Sequence, residues 1–229
     1  MTRTPGRAGA ALGAAVAAVL TACSAREDDR PTEPTTTAAS TAAIGPTAAF
    51  IGDSWTDGVG ASGARGFPVL TAELLGWRFT ELGVSGGGYV VPGAGGPFGS
   101  RIAEAVATVP DVIVVQGSLN EQGVDGDELG RAALDTLTRL RGEAAPATEI
   151  LVVGAPYAPG TDSDRIDRVN DALAGAAAAI GLRFVDPAAE NWTDPADPGL
   201  WSDPIHPNDA GHQQIAERLA PILEDVVER

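Results

Sequence analysis

The chain has 229 residues, 44% of them hydrophobic, and its 31 acids against 15 bases leave a net charge of −16. This suffices for one sizeable α/β core, is too short for two comfortable ones, and excludes wholesale disorder. So acidic a chain repels phosphate backbones, which argues against nucleic acid as a partner. Every base is Arg, and the one cysteine, Cys23, can form no disulfide within the chain. With only two histidines beside it, it cannot build an ordinary zinc site from nitrogen and sulfur ligands.

Residues 1–22 read as a signal peptide. Arg3 and Arg7 make a short positive start, and Ala8 to Leu20 is an apolar run of thirteen residues. That is short for a membrane-spanning helix and suited to a signal-peptide core. Leu20-Thr21-Ala22-Cys23 follows and resembles the lipobox of bacterial lipoproteins, in which the cysteine is acylated and becomes the new N-terminus. The alternative is an ordinary signal peptide that happens to precede Cys23. Acyl chains on Cys23 would anchor the protein at the outer face of the cell membrane. From Cys23 to Pro46 the sequence is rich in Thr, Ala and Pro with almost nothing to bury, as in a flexible tether. Residues 1–46 hold four Arg and four acids, so residues 47–229 keep 27 acids against 11 Arg.

Five short runs in that domain read as strands: Thr47–Gly52, Arg78–Leu82, Asp111–Gln116, Ile150–Gly154 and Leu182–Asp186. The third and fourth are continuously apolar at their centres, as strands covered on both faces should be. Helical stripes lie between and after them. Leu129, Ala133, Leu137 and Leu140 form one, and Ile166, Val169, Leu173, Ala177 and Ile180 a second. Ile215, Leu219, Ile222 and Val226 form the last, capped at Asn208 or Asp209 and with a kink expected at Pro221. Alternating strand and helix predicts a parallel sheet with helices on both faces. Functional residues then belong in loops beyond the carboxyl ends of the strands.

Ser54 stands in such a place, in Gly52-Asp53-Ser54-Trp55. A serine hydroxyl becomes a useful nucleophile only with a base beside it, and the base needs an acid to fix its tautomer. His206 lies in Asp203-Pro204-Ile205-His206-Pro207-Asn208, just before the last helix, and Asp203 is close enough in the chain to meet its ring. His212 follows Gly211 with no acid at that spacing, and is expected to be a partly exposed helix residue without a role. Acyl transfer also needs donors for the oxyanion. The Ser54 N–H, Gly86 (in Gly83-Val84-Ser85-Gly86-Gly87-Gly88) and Asn120 (in Gly117-Ser118-Leu119-Asn120-Glu121) follow the first three strands in turn.

These four blocks resemble those of the SGNH/GDSL hydrolase family, named for its Ser, Gly, Asn and His. The likeness runs across nearly all of residues 47–229, and Asp203-Pro204-Ile205-His206-Pro207 is its most specific part. Membership would imply a flavodoxin-like α/β/α sandwich, with a five-stranded sheet in the order 2-1-3-4-5, and hydrolysis of acyl esters without a cofactor. The chain departs from the pattern at three places. Trp55 replaces the usual Leu. Glu81 stands where Asn is common, leaving Gly83 and Gly87 open beside Gly86. One extra residue separates Gly117 from Asn120, and Glu121 replaces Asp.

Two rival motifs are set aside. Gly58-Val59-Gly60-Ala61-Ser62-Gly63 matches a dinucleotide fingerprint, but it starts well beyond the strand and Gly66-Phe67-Pro68 interrupts the helix it would need. The nucleophile elbow G-x-S-x-G is not matched, because Thr56 stands at its last position. The sequence therefore predicts a serine esterase with a small-molecule or glycan acyl-ester substrate. The short Tyr89–Phe98 stretch leaves no obvious lid, which favours short acyl or O-acetyl groups. A longer-chain lipase or thioesterase, or a non-catalytic envelope binding protein on the same fold, is the alternative.

Overall fold

The computed structural model describes residues 45–228. The signal peptide, Cys23 and nearly all of the expected tether lie outside the described residues. Five parallel strands form one sheet in the order β2-β1-β3-β4-β5. They are β1 (Thr47–Gly52), β2 (Arg78–Gly83), β3 (Val112–Gln116), β4 (Glu149–Val153) and β5 (Arg183–Val185). Each lies within a residue or two of its expected bounds. Val112 to Val115 are wholly buried, as their unbroken apolar run requires of a strand covered on both faces.

Helices α1 (Phe67–Leu75) and α5 (Asp209–Val227) pack on each other. Helices α2 (Ile102–Ala107), α3 (Gly126–Glu143) and α4 (Ser163–Ala179) form the other group, with α3 on α4 and α2 on α3 and β1. The three predicted stripes became α3, α4 and α5, and their stripe residues are buried apart from Ile180 and Ile222, which are partly so. Helix α5 is capped by Asn208, whose Oδ1 accepts from Ala210 and Gly211 N–H. It continues through Pro221 to Val227.

Helices α1 and α2 were not expected from the sequence. The Gly66-Phe67-Pro68 that looked like an interruption is the start of α1, with Pro68 in its first turn, where its missing N–H costs nothing. Helix α2 has only six residues, too few to show a stripe.

The register aligns the carboxyl ends of the strands. Gly52 stands opposite Gly83 of β2, and Val115, opposite Ile51, precedes the last residue of β3. Three loops carrying Ser54, Gly86 and Asn120 therefore leave the same edge of the sheet.

Candidate active site

The turn after β1 is held by Asp53. Its Oδ1 accepts the Trp55 N–H at 2.9 Å, and the Asp57 N–H returns to the Asp53 carbonyl at 3.0 Å. Ser54 therefore sits on a tight turn at the rim, 8% exposed. On the far side of the chain, Trp201 bridges Pro207, the Ser202 N–H donates to the His206 carbonyl, and the Asn208 N–H donates to the Leu200 carbonyl. This folded-back segment presents Asp203 and His206 at its tip. Asp203 Oδ1 accepts the N–H groups of Ile205 and His206, each at 2.8 Å, which fixes the carboxylate relative to the ring.

The structure brings Ser54, His206 and Asp203 into one line. His206 Nδ1 lies 2.7 Å from Asp203 Oδ2, and His206 Nε2 lies 3.1 Å from Ser54 Oγ. An ionised carboxylate only accepts, so Nδ1 carries the hydrogen and Nε2 is left as the acceptor for the serine proton. Burial works to raise the Asp203 pKa, but the hydrogen bonds from the His206 ring and from two backbone N–H groups outweigh it and hold it below the usual carboxylate value. Asp203 thus stays charged beside the imidazole.

The three open glycines differ in what their N–H groups do. Gly83 donates to the Glu81 carboxylate, and Gly87 donates to the Val84 carbonyl at 3.0 Å. Among the described residues, the N–H groups of Gly86 and Ser54 have no protein acceptor. Gly86 also has a φ of +77°, which a side-chain-bearing residue adopts only with strain. Asn120 stands in the 3-10 turn after β3, with its Nδ2 at 3.0 Å from the Gly87 carbonyl and 2.8 Å from Ser118 Oγ.

Several residues not expected from the sequence also shape this site. Asp53 is 1% exposed, and burial raises its pKa to about 6 against hydrogen bonds from Trp55 and Ser118. Glu121 is fully buried, and its Oε1 accepts the N–H groups of Val90 and Val91, so it pins the Tyr89–Phe98 stretch beside Asn120. Asp53 stands just before Ser54 and Glu121 just after Asn120, and that adjacency was the available signal, but a sequence does not tell a buried carboxylate from a solvated one.

His212 corrects an expectation. It is neither partly exposed nor without partners. It is wholly buried at the start of α5, where Nδ1 accepts the Phe67 N–H at 3.2 Å and Nε2 faces the Val59 carbonyl at 3.2 Å. Its ring also stacks on Phe67. Its partners are backbone groups 145 and 153 residues away, which spacing to a nearby acid could not reveal.

The glycine run after Ser54 serves packing. Gly60 has a φ of +95°, and a Cβ there would meet the Pro207 carbonyl oxygen at 2.2 Å. Only glycine lets this loop touch the segment that carries His206.

Two hollows lie nearby, one in the core behind Trp55 and one at the surface beside Asp203. An apolar void behind Trp55, lined by Phe67, Val114, Trp192 and Ile215 among others, holds about 20 Å³, room for about one water. An open groove of about 350 Å³ runs beside Asp203, walled by Pro159, Pro195, Pro198, Trp201 and Pro204.

The chain matches the model of the GDSL-like lipase/acylhydrolase family over residues 50–214. It is 33% identical over 186 residues to the GDSL lipase Rv0518 of Mycobacterium tuberculosis, a match covering 76% of this chain and 80% of that protein. Among solved structures, a Lactobacillus plantarum protein superposes with a TM-score of 0.67 at 23% identity, over 79% of this chain and 97% of the other. The aryl esterase of M. smegmatis superposes with a TM-score of 0.63 at 17% identity, over 80% of this chain and all of the other. A family two carbohydrate esterase from Clostridium thermocellum, solved with cellohexaose, gives 0.64 at 19% identity, over 80% of this chain and 64% of the other. At such identities these structures share the fold.

Proposed function

The chain belongs to the GDSL-like lipase/acylhydrolase family and is a carboxylic-ester hydrolase, and we propose that it works through a Ser54–His206–Asp203 triad on short acyl or O-acetyl esters. The observation that carries this reading is His206, set between Ser54 Oγ at 3.1 Å and the Asp203 carboxylate at 2.7 Å.

Ser54 Oγ attacks the acyl carbonyl while His206 Nε2 takes its proton, and Asp203 steadies the imidazolium that forms. The carbonyl oxygen, now an anion, is received by the N–H groups of Ser54 and Gly86 and by Asn120 Nδ2. Collapse expels the alcohol, which takes the proton from His206, and leaves Ser54 acylated. A water then gives a proton to His206 and attacks the acyl group, freeing the acid and restoring the serine. These steps use the chain's own residues and call for no cofactor.

The Tyr89–Phe98 stretch, short and pinned by Glu121 beside Asn120, offers no lid to cover a long alkyl tail, which supports short acyl groups. The open groove beside Asp203, with Trp201 in its wall, suits the alcohol part of the ester and is wide enough for a sugar. A panel of chromogenic esters of rising chain length, with acetylated sugars alongside, tests this. Turnover should be highest on acetyl esters and fall steeply with chain length. A preference for long chains would make the enzyme a lipase or thioesterase. No turnover of any ester by the folded protein would favour a binding role.

We further propose that the mature protein begins at an acylated Cys23 and is anchored to the cell membrane, with residues 23–46 as its tether. The apolar run ending in Leu20-Thr21-Ala22-Cys23 supports this.

A further inference from the structure

Ser118 is not one of the four named positions of its family, yet its hydroxyl lies where the three loops of the site meet. It is wholly buried. Its Oγ lies 2.9 Å from Asp53 Oδ2, in the turn beside Ser54, and 2.8 Å from the carbonyl of Gly87, next to Gly86. It also accepts the Asn120 backbone N–H at 3.0 Å and lies 2.8 Å from Asn120 Nδ2. One side chain thus reaches the neighbours of two proposed oxyanion donors and both donating groups of the third.

A hydroxyl has one hydrogen and can accept two. Ser118 has two candidate acceptors for its hydrogen, the Asp53 carboxylate and the Gly87 carbonyl. The Gly87 carbonyl can instead be served by Asn120 Nδ2, at 3.0 Å, so the consistent assignment sends the Ser118 hydrogen to Asp53. The lone pairs of Ser118 then face Asn120. An amide NH2 has two hydrogens; Gly87 O and Ser118 Oγ lie 2.8 Å from each other on one side of Nδ2, so a single hydrogen shared between them serves both and the second is left for a substrate oxygen. Three acceptors around Nδ2 (Gly87 O, Ser118 Oγ and Asp53 Oδ2 at 3.5 Å) also fix which end of the amide is nitrogen.

We propose that Ser118 is a positioning residue, which orients the Asn120 amide as an oxyanion donor and locks it to the Asp53 turn and the Gly87 carbonyl. This rests on the reading of Asn120 as an oxyanion donor. The extra residue between Gly117 and Asn120 has a purpose in this light: the 3-10 turn begins at Ser118 as its cap, and that cap carries the hydroxyl. Ser118 touches neither substrate nor reacting atoms, so its contribution to rate passes through Asn120.

A double-mutant cycle separates this role from general packing. Asn120→Ala alone should lower kcat by about 10²- to 10³-fold, the usual cost of one oxyanion donor. Ser118→Ala should lower kcat by about 10-fold with KM within about twofold of wild type, because an interaction felt mainly in the transition state is weakened. In the Asn120→Ala background, Ser118→Ala should change kcat by less than about twofold, since the amide it orients is gone. Thermal melting of each variant checks that the fold is kept, and Ser118→Cys, which keeps the volume and weakens the hydrogen bonds, replaces Ser118→Ala if that variant does not fold. Ser118→Ala at wild-type kcat, or the same loss in both backgrounds, would overturn the positioning role while leaving Asn120 as a donor. Asn120→Ala at wild-type kcat would overturn both.

Discussion

The indole N–H of Trp55 donates to the carbonyl of Ile205 at 2.9 Å, joining the residue after Ser54 to the residue before His206 across 150 positions of sequence. Trp55 is 2% exposed and its ring meets Trp201 edge-on at 5.9 Å, so the bond is fixed from both sides. The family's usual Leu at this position could pack but could not donate. Here the indole ties the turn that carries Ser54 to the segment that carries His206.

Trp55→Phe tests that relationship, because it keeps an aromatic ring and removes the donor. The Ile205 carbonyl loses its partner and the His206 segment gains freedom. We expect kcat to fall about 10- to 100-fold, as small misplacements of catalytic groups do. KM should change little. Steady-state kinetics on a short-chain ester measures this, and a wild-type kcat would show that the segment is held well enough by its own turn.

The three residues of the proposed triad should differ in how much they cost. Ser54→Ala and His206→Ala should each lower kcat by about 10⁶-fold, and removing both should cost little more, because they act as a unit. Asp203→Asn should cost about 10⁴-fold by favouring the wrong imidazole tautomer. Kinetics on the same ester, with circular dichroism to check folding, decides it. A folded His206→Ala enzyme with normal turnover would remove histidine from the mechanism.

His212 makes a prediction about stability rather than chemistry. His212→Ala should lower Tm by about 5–10 °C, since it empties a buried site and orphans the Phe67 N–H. Differential scanning calorimetry reads the shift directly.

The same residue gives a dependence on pH. Burial is the main cause lowering its pKa from 6.5, so in the folded protein it resists protonation. As pH falls below about 6.5, the unfolded chain binds a proton that the fold refuses, and stability is lost until the folded pKa is reached. Asp53, raised to about 6 by burial, works the other way: between about 3.8 and 6 the fold holds a proton more tightly than the unfolded chain. Comparing Tm against pH for wild type and His212→Gln isolates the histidine. The wild type should lose more on acidification from pH 7.5 to 5.5, and parallel curves would contradict this.

The anchor is tested by fractionation. Cells expressing the wild type should hold the protein in the membrane fraction, and Cys23→Ala should move it out of that fraction. Equal membrane retention of both would defeat the lipoprotein reading.

The sequence by itself determined the strand set, three of the five helices and the identity of Ser54, Asp203 and His206, which meet at the site. It could do so because buried parallel strands need unbroken apolar runs, long helices need a repeating stripe, and the blocks around Ser54, Asn120 and His206 are local patterns. The order 2-1-3-4-5 came from family resemblance and not from periodicity. Tertiary structure alone decided which polar groups are buried and what they hold. His212, Ser118, Asp53 and Glu121 look in sequence like ordinary loop or helix polar residues, yet each has backbone or side-chain partners tens of residues away. Asp53, Ser118 and Glu121 leave water only when β1, β2 and β3 bring their loops to a common edge, and His212 only when α5 packs on α1; there an unmet hydrogen bond is costly and a met one fixes geometry.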